Sequence, residues 1–427
     1  MQTRTLCVLL VLQAVVSFRA APRIMHLFRA GGCVRLTWIP HLSSVINWTL
    51  RVGLATLSQV KAMENPWLAI IDQSIDIGVK RVLVVLRVSL AALAERGSAI
   101  RLEDCECIGL QITAHSDGEW VCDTLTTVFT EAGDPVAILK DGGTDLAKGV
   151  RLWREREGKK RVWVIEDIGH VLANGLKAQY ANTKSFTRFV AIIHKGAARL
   201  RQTTLAFLIP PKLRTKGRFQ GISHLGKWAE RILKVLADKT ETDRHSDMAT
   251  LRKAMAGLTG LRPFLERFAT TALTVAEVMT LLKHHGLNQK PYHHCCQLAE
   301  DLPPRAKVKK RLLSWLKRHL HIQCRLGIGQ TPLLVSSDII ESLFGTFKHI
   351  IARSPQAEMN RTVLVIPALC GKRDPLTIAQ AFAHTSHREL QRWEQDQVTP
   401  TLRQRRGTFF DTEGYQKPGK VIPAKPP

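Results

Sequence analysis

Three acidic residues raise the question of chemistry. Asp72 closes the apolar run of LAIIDQS, Asp141 closes that of VAILKDGG, and Glu341 lies within SSDIIESLFGTFK. The first two follow runs that should be buried, so their side chains emerge at a strand end or in the turn beyond it. In open α/β sheets that is where functional sites collect. An aspartate there is also an ordinary turn or cap residue, and Asp76, four residues on, competes with Asp72 for the first acidic position. Ile339, Ile340, Leu343, Phe344, Phe347, Ile350 and Ile351 recur at helical spacing and place Glu341 in the first turn of a core helix. With Asp338 as N-cap, Glu341 would complete a capping box; alternatively its carboxylate is aimed at a cation, and the two roles are compatible.

Three carboxylates converging in a partly desolvated site would repel one another unless cations lie between them. All-oxygen ligation suits Mg²⁺ or Mn²⁺ rather than zinc. Two such ions about 3.5–4 Å apart would activate a nucleophile and steady a leaving oxygen in phosphoryl transfer. Charge indicates the substrate. The 427 residues carry 62 Lys+Arg against 36 Asp+Glu, a net +26 spread over nearly the whole length. That excess fits a polyanion, most simply a DNA backbone.

Positioning those carboxylates requires a sheet. The stretches 67–72 and 81–88 read as a hairpin of buried strands around a polar turn holding Gly78, and CECIGLQIT as a third strand. Helix WVCDTLTTVFTEAG, strand PVAILKDGG, helix TDLAKGVRLWREREG, strand RVWVIED and helix IGHVLANGLKAQY follow. This order predicts an α/β fold with a mixed sheet flanked by helices. From about 184 to 330 strand signals nearly vanish, which predicts an all-α insertion interrupting the α/β core, since Glu341 comes after it. The expected boundaries are 1–60, 61–183, 184–330, 331–400 and a disordered tail, 401–427, rich in Pro, Gly and charge.

The N-terminal MQTRTLCVLLVLQAVVSFRAAP resembles a secretory signal, but Gln13 interrupts the apolar run and Phe18-Arg19 stands where small residues belong. Three short helices carrying Arg19, Arg23, Arg29, Arg35 and Arg51 read better as a DNA-binding module of helix-turn-helix type. The chain is therefore expected in the cytoplasm, not secreted, and no run is long enough to span a membrane. Nine cysteines, an odd number at irregular spacing, fit a reducing compartment. HHCC at 293–296 looks like metal chemistry, but adjacent ligands are poorly spaced for zinc.

IIDQS, LKDGGTDLAKG and SSDIIESLFGTFK, in this order, resemble the DDE transposases of bacterial insertion sequences, whose core has a ribonuclease-H-like fold. VIEDIGHVLANGLK, with Asp167 and His170 as D-x-x-H, is similar to the C/D-x-x-H signature of the Mutator-like branch. The resemblance covers roughly residues 60–370. It implies that Asp72, Asp141 and Glu341 hold two Mg²⁺ or Mn²⁺ ions, with Asp167 and His170 auxiliary, in contact with the strand being cut. A simpler reading of that pair has Asp167 capping a helix and His170 bonding nearby backbone. Lys348, two turns beyond Glu341, could touch a phosphate, and Trp228 in LGKWAERIL could stack on a base, though a solvated lysine and a core tryptophan are the common cases. The function implied is a DNA transposase, cutting element ends and joining the freed 3′-hydroxyl to target DNA, as a dimer or higher multimer near the nucleoid of a bacterial cell. A nuclease or resolvase on the same fold, or a non-catalytic DNA-binding derivative, are the alternatives.

Overall fold

The computed structural model describes residues 2–33, 36–60, 62–74, 80–213, 219, 221–237, 246–351, 359–398, 400 and 402–412. Arg35, Asp76 and Gly78 lie outside them. Five strands form one sheet in the order β3-β2-β1-β4-β5. They are β1 (Trp67–Ser74), β2 (Arg81–Ser89), β3 (Glu106–Thr113), β4 (Ala137–Lys140) and β5 (Trp163–Glu166). The first three pair antiparallel, while β4 and β5 run parallel to β1. The expected α/β architecture with a mixed sheet is present.

Strand alternation sends successive side chains to opposite faces. Trp67, Ala69, Ile71 and Ile138 pack on one face; Leu68, Ile70, Leu139 and Ile165 pack on the other. Helices α1 (Gln2–Leu12), α2 (Ala20–Ala30), α3 (Leu42–Ser58) and α4 (Leu90–Arg96) lie with the second face's core. The first face is covered by α5 (Gly118–Ala132) and α6 (Thr144–Arg156) through Val121, Leu125, Phe129, Val150 and Trp153. Beyond β5 come α7 (Ile168–Tyr180), α8 (Lys184–Leu200), α9 (Ser223–Ala237), α10 (Ser246–Ala254), α11 (Arg262–His285), α12 (Gln289–Leu298) and α13 (Lys307–Arg325). The described part of 184–325 holds no strand, as its periodicity predicts. The chain then returns to the sheet with α14 (Asp338–Ile350), followed by α15 (Val365–Ala368), α16 (Pro375–His384), α17 (His387–Gln397) and α18 (Leu402–Thr412).

Three expectations are corrected. Residues 402–412 form α18 instead of belonging to a disordered tail; 413–427 lie outside the described residues. The N-terminal helices, expected as a module of their own, share one core with the sheet. Cys7, Val8, Val11 and Leu12 are fully buried, and α3 packs on α15, α16 and β3. Buried on most sides, α3 cannot enter a major groove, while α2 keeps an exposed face. Arg51, expected on DNA, turns inward: its Nε donates to the Thr385 carbonyl at 2.8 Å, its Nη2 to the Phe382 carbonyl at 2.9 Å, and its guanidinium sits 5.0 Å from the Phe382 ring centroid. Burial lowers its pKa.

Gly53 allows the close approach of α3. A Cβ there would stand 1.8 Å from the Leu364 carbonyl oxygen. In an exposed helix Gly→Ala stabilises by about 1 kcal/mol; here overpacking against backbone reverses the sign. Gly53→Ala is expected to lower stability by about 3 kcal/mol in urea denaturation. An unchanged or raised midpoint would restore the independent-module reading.

Candidate active site

The register of the parallel strands builds the site. Ile71 pairs with Lys140, and Lys140 with Glu166. Asp72, Asp141 and Asp167 each stand one residue further on, in one row where the parallel pairing stops: Asp141 and Asp167 lie just past β4 and β5, whereas Asp72, expected at the end of its strand, lies inside β1, which runs on to Ser74 paired with β2. By alternation all three follow Leu68, Ile70, Leu139 and Ile165 onto the face away from α5 and α6. Buried runs of equal phase, each ending in aspartate, therefore deliver carboxylates side by side without long-range design of the side chains.

The three are held differently. The Asp72 carboxylate accepts from the Gln73 amide at 2.6 Å. Its pKa is raised well above the ordinary carboxylate value, first by burial, then by Asp141, with Glu341 and Asp167 adding to the repulsion. Asp141 Oδ1 accepts from the Gly143 amide at 2.8 Å, folding the LKDGG turn onto itself ahead of α6. Its Oδ2 lies 4.0 Å from His170 Nε2.

Asp167 is only 4% exposed. It caps α7: Oδ1 accepts from the His170 amide at 2.8 Å. Its Oδ2 accepts from the Ser337 amide at 2.8 Å and the Ser337 hydroxyl at 3.2 Å. Both of its oxygens are taken up by protein donors. It brackets the start of α7 to the start of α14, and so carries Glu341 to the carboxylate row.

The expected capping box at Asp338 does not form. The N-cap is Ser337, which makes no side-chain cap bond because its polar groups are turned to Asp167, and Asp338 is the first helical residue. Asp338 instead pairs with Lys283 of α11 at 2.6 Å. Glu341 is exposed; its pKa is raised by partial burial and by Asp338, with Lys283 opposing. A cleft of about 400 Å³ separates α7 and α14 from the insertion and is lined by His170, Lys212, His224, Lys283 and Glu341 among others.

Among the described residues no three His, Cys, Asp or Glu side chains are close enough to enclose a metal ion. That applies to HHCC at 293–296 as well, where Cys295 is buried in the core. Asp72, Asp141 and Glu341 interact through charge but do not share a coordination sphere as they stand. Their donor chemistry nevertheless fits a hard divalent cation: the three side chains offer oxygen only, and the charges of Asp141, Glu341 and Asp167 all act against the ionised form of Asp72.

The remaining expected residues spread out. Arg19 and Arg23 lie exposed at the start of α2, which packs on α1 and α3 rather than at the carboxylate row. Trp228 is half-buried against the core, and its indole N–H donates to the Leu208 carbonyl at 2.9 Å, so it is not an open stacking platform. Lys348 is half-buried near the end of α14.

Two features escape a linear reading. One is Lys140, buried beside Asp141, with its Nζ 3.2 Å from the Asp141 carbonyl. The other is α13, which closes the open edge of β5. The Trp315 indole N–H donates to the Glu166 carbonyl at 2.9 Å, and His319 Nε2 accepts from the Glu166 amide at 3.0 Å. His319 Nδ1 faces the Trp315 carbonyl at 2.8 Å and must carry the proton, since a carbonyl only accepts. The ring is thus held neutral, its pKa lowered by burial from 6.5 to about 4. Its contribution to stability is complete above pH 6.5 and is lost as pH falls toward about 4, because the unfolded chain then binds the extra proton. The loss amounts to about 3 kcal/mol. Denaturation midpoints across that window should slope for the wild type and flatten for His319→Leu; parallel slopes would refute the assignment.

No protein-family model matches the chain, and no curated protein matches it. Among solved structures it is similar to a chain of the Drosophila P element transposase strand transfer complex, with 11% sequence identity and a TM-score of 0.40, over 82% of this chain and 96% of that one.

Proposed function

We propose that the chain is a DNA strand-cutting and strand-joining enzyme of the DDE type, on a ribonuclease-H-like core. The observation that carries this reading is the register. It sets Asp72 of β1 beside Asp141, just past the end of the neighbouring β4, with the charges of Asp141, Glu341 and Asp167 acting on Asp72, while Asp167 fastens the helix of Glu341 to the same edge. Asp72, Asp141 and Glu341 would hold Mg²⁺ or Mn²⁺, which when bound supplies charge stabilisation at the reacting phosphate and a more acidic attacking hydroxyl. The chain's own residues orient that centre. Gly143 fixes the Asp141 carboxylate, Asp167 sets the position of α14, and His170, beside Asp141, is placed to hold a proton or a phosphate oxygen. Lys283, paired with Asp338, limits how far α14 can shift. The net +26 supplies the affinity for a DNA backbone. Cutting two element ends in concert calls for at least two copies of the chain.

The test is incubation of the full chain with Mg²⁺ and duplex oligonucleotides taken from the sequences flanking its coding region. Cleavage followed by joining to a target duplex is the expected result. Hydrolysis without joining would indicate a nuclease or resolvase, and binding without cutting a DNA-binding derivative; either outcome overturns the proposal.

A further inference from the structure

A second cleft, of about 640 Å³, lies between α13 and the ends of β4 and β5, beside the turn that carries Asp141. One wall is a stripe of α13: Lys307, Lys310, Arg311 and Arg318, with Ser314 between them. These positions share one helical face, flanked by the buried Val308, Leu312, Trp315 and His319. The segment KVKKRLLSWLKRHLHIQCR contains no acidic residue, so the stripe is not neutralised along its own helix. Arg318 pairs with Glu166, and Lys307 donates to the Ala178 carbonyl at 3.1 Å. Lys310 and Arg311 are exposed and have no carboxylate within ion-pair distance among the described residues. The opposite wall holds Lys140, only 6% exposed, together with Glu166, which Arg318 pairs, and Asp167.

From this arrangement we infer that the cleft grips one strand of DNA by its phosphates, immediately beside the carboxylate row. Its volume suits a single strand and not a duplex. The stripe from Lys307 to Arg318 spans about 16 Å, the axial length of about five nucleotides of one strand. Trp315 also lines the cleft, but it is only 2% exposed with its indole N–H on the Glu166 carbonyl, so the exposed part of the α13 wall offers cations rather than a stacking surface. Binding is therefore sequence-independent and strongly salt-dependent, with the strand held by its backbone. The identity of the polyanion as DNA rests on the proposed function; the preference for a single phosphodiester strand does not.

Fluorescence anisotropy of a labelled oligo-dT strand and of a mixed-sequence duplex, with full-length protein in EDTA, tests this apart from catalysis. The doubly substituted Lys310→Ala/Arg311→Ala protein, both changes being on exposed side chains, should bind the single strand roughly 10- to 100-fold more weakly. Its salt slope should fall by about 1.4, two contacts at about 0.7 each, while duplex affinity changes by less. Lys310→Glu/Arg311→Glu should deepen the loss. Unchanged single-strand affinity and slope, equal losses for both DNAs, or displacement of the strand by millimolar inorganic phosphate alone would overturn the inference. If the wild type cuts DNA while these variants bind normally, the cleft assignment fails and the enzyme reading stands. If the variants lose the strand but the wild type never cuts, the reverse holds.

Discussion

Asp72→Asn is expected to abolish strand cleavage, by about three orders of magnitude or more, while leaving DNA affinity equal or higher. The rate falls because one oxygen donor to the cation is replaced by a neutral amide, forfeiting several kcal/mol of charge stabilisation. Affinity holds or rises because a negative charge next to a polyanion is gone. Stability supplies an independent readout. Burial and Asp141 raise the Asp72 pKa, so the folded state keeps its proton after the unfolded chain has released it. Wild-type stability consequently declines as pH rises from the ordinary carboxylate range through the raised value. Asp72→Asn removes that decline and should melt higher at neutral pH. Added Mg²⁺ or Mn²⁺ should raise the wild-type midpoint by mass action and leave that of Asp72→Asn unmoved. An equal metal response in both proteins, or DNA binding lost along with cleavage, would remove Asp72 from the site.

The next largest effect is expected at Asp167. Asp167→Ala deletes the cap of α7 and strands the Ser337 amide and hydroxyl in a buried place, since all three donors converge on this one carboxylate. Loss of a cap costs about 1 kcal/mol, and buried donors left unmet cost about 1–3 kcal/mol more. A total near 3 kcal/mol, read in urea, is predicted. Asp167→Asn should cost less, because its amide oxygen can still serve one side while its NH₂ confronts donors on the other. Both should cut more slowly even where fully folded, with DNA affinity retained, because α14 is no longer held to the carboxylate row. Full activity in folded Asp167→Ala would show that Glu341 reaches its place without the bracket.

Much of this arrangement is written locally. Apolar runs of even phase place Asp141 just past its strand and Asp72 on the same face, although β1 runs on past Asp72 to Ser74, and the helix of Glu341 is plain from its apolar period. Strand pairing then follows from short connections, and the whole sheet with its two flanking helices is legible up to α7. Other assignments depend on partners distant in sequence. Asp338 has the residue type and spacing of a cap, but a lysine 55 positions earlier captures it. Asp167 looks like half of a catalytic motif, yet a serine 170 residues away meets its second oxygen. Arg51 belongs to a set of arginines spread over the N-terminal helices, yet its guanidinium is satisfied by carbonyls more than 330 residues on. The physical reason is common to all three. Periodicity and turn chemistry specify which face of an element is apolar and where it stops, since these depend on neighbouring residues. Which surface that face meets, and which buried polar group finds which donor, is settled only when the core closes and every such group must be paired.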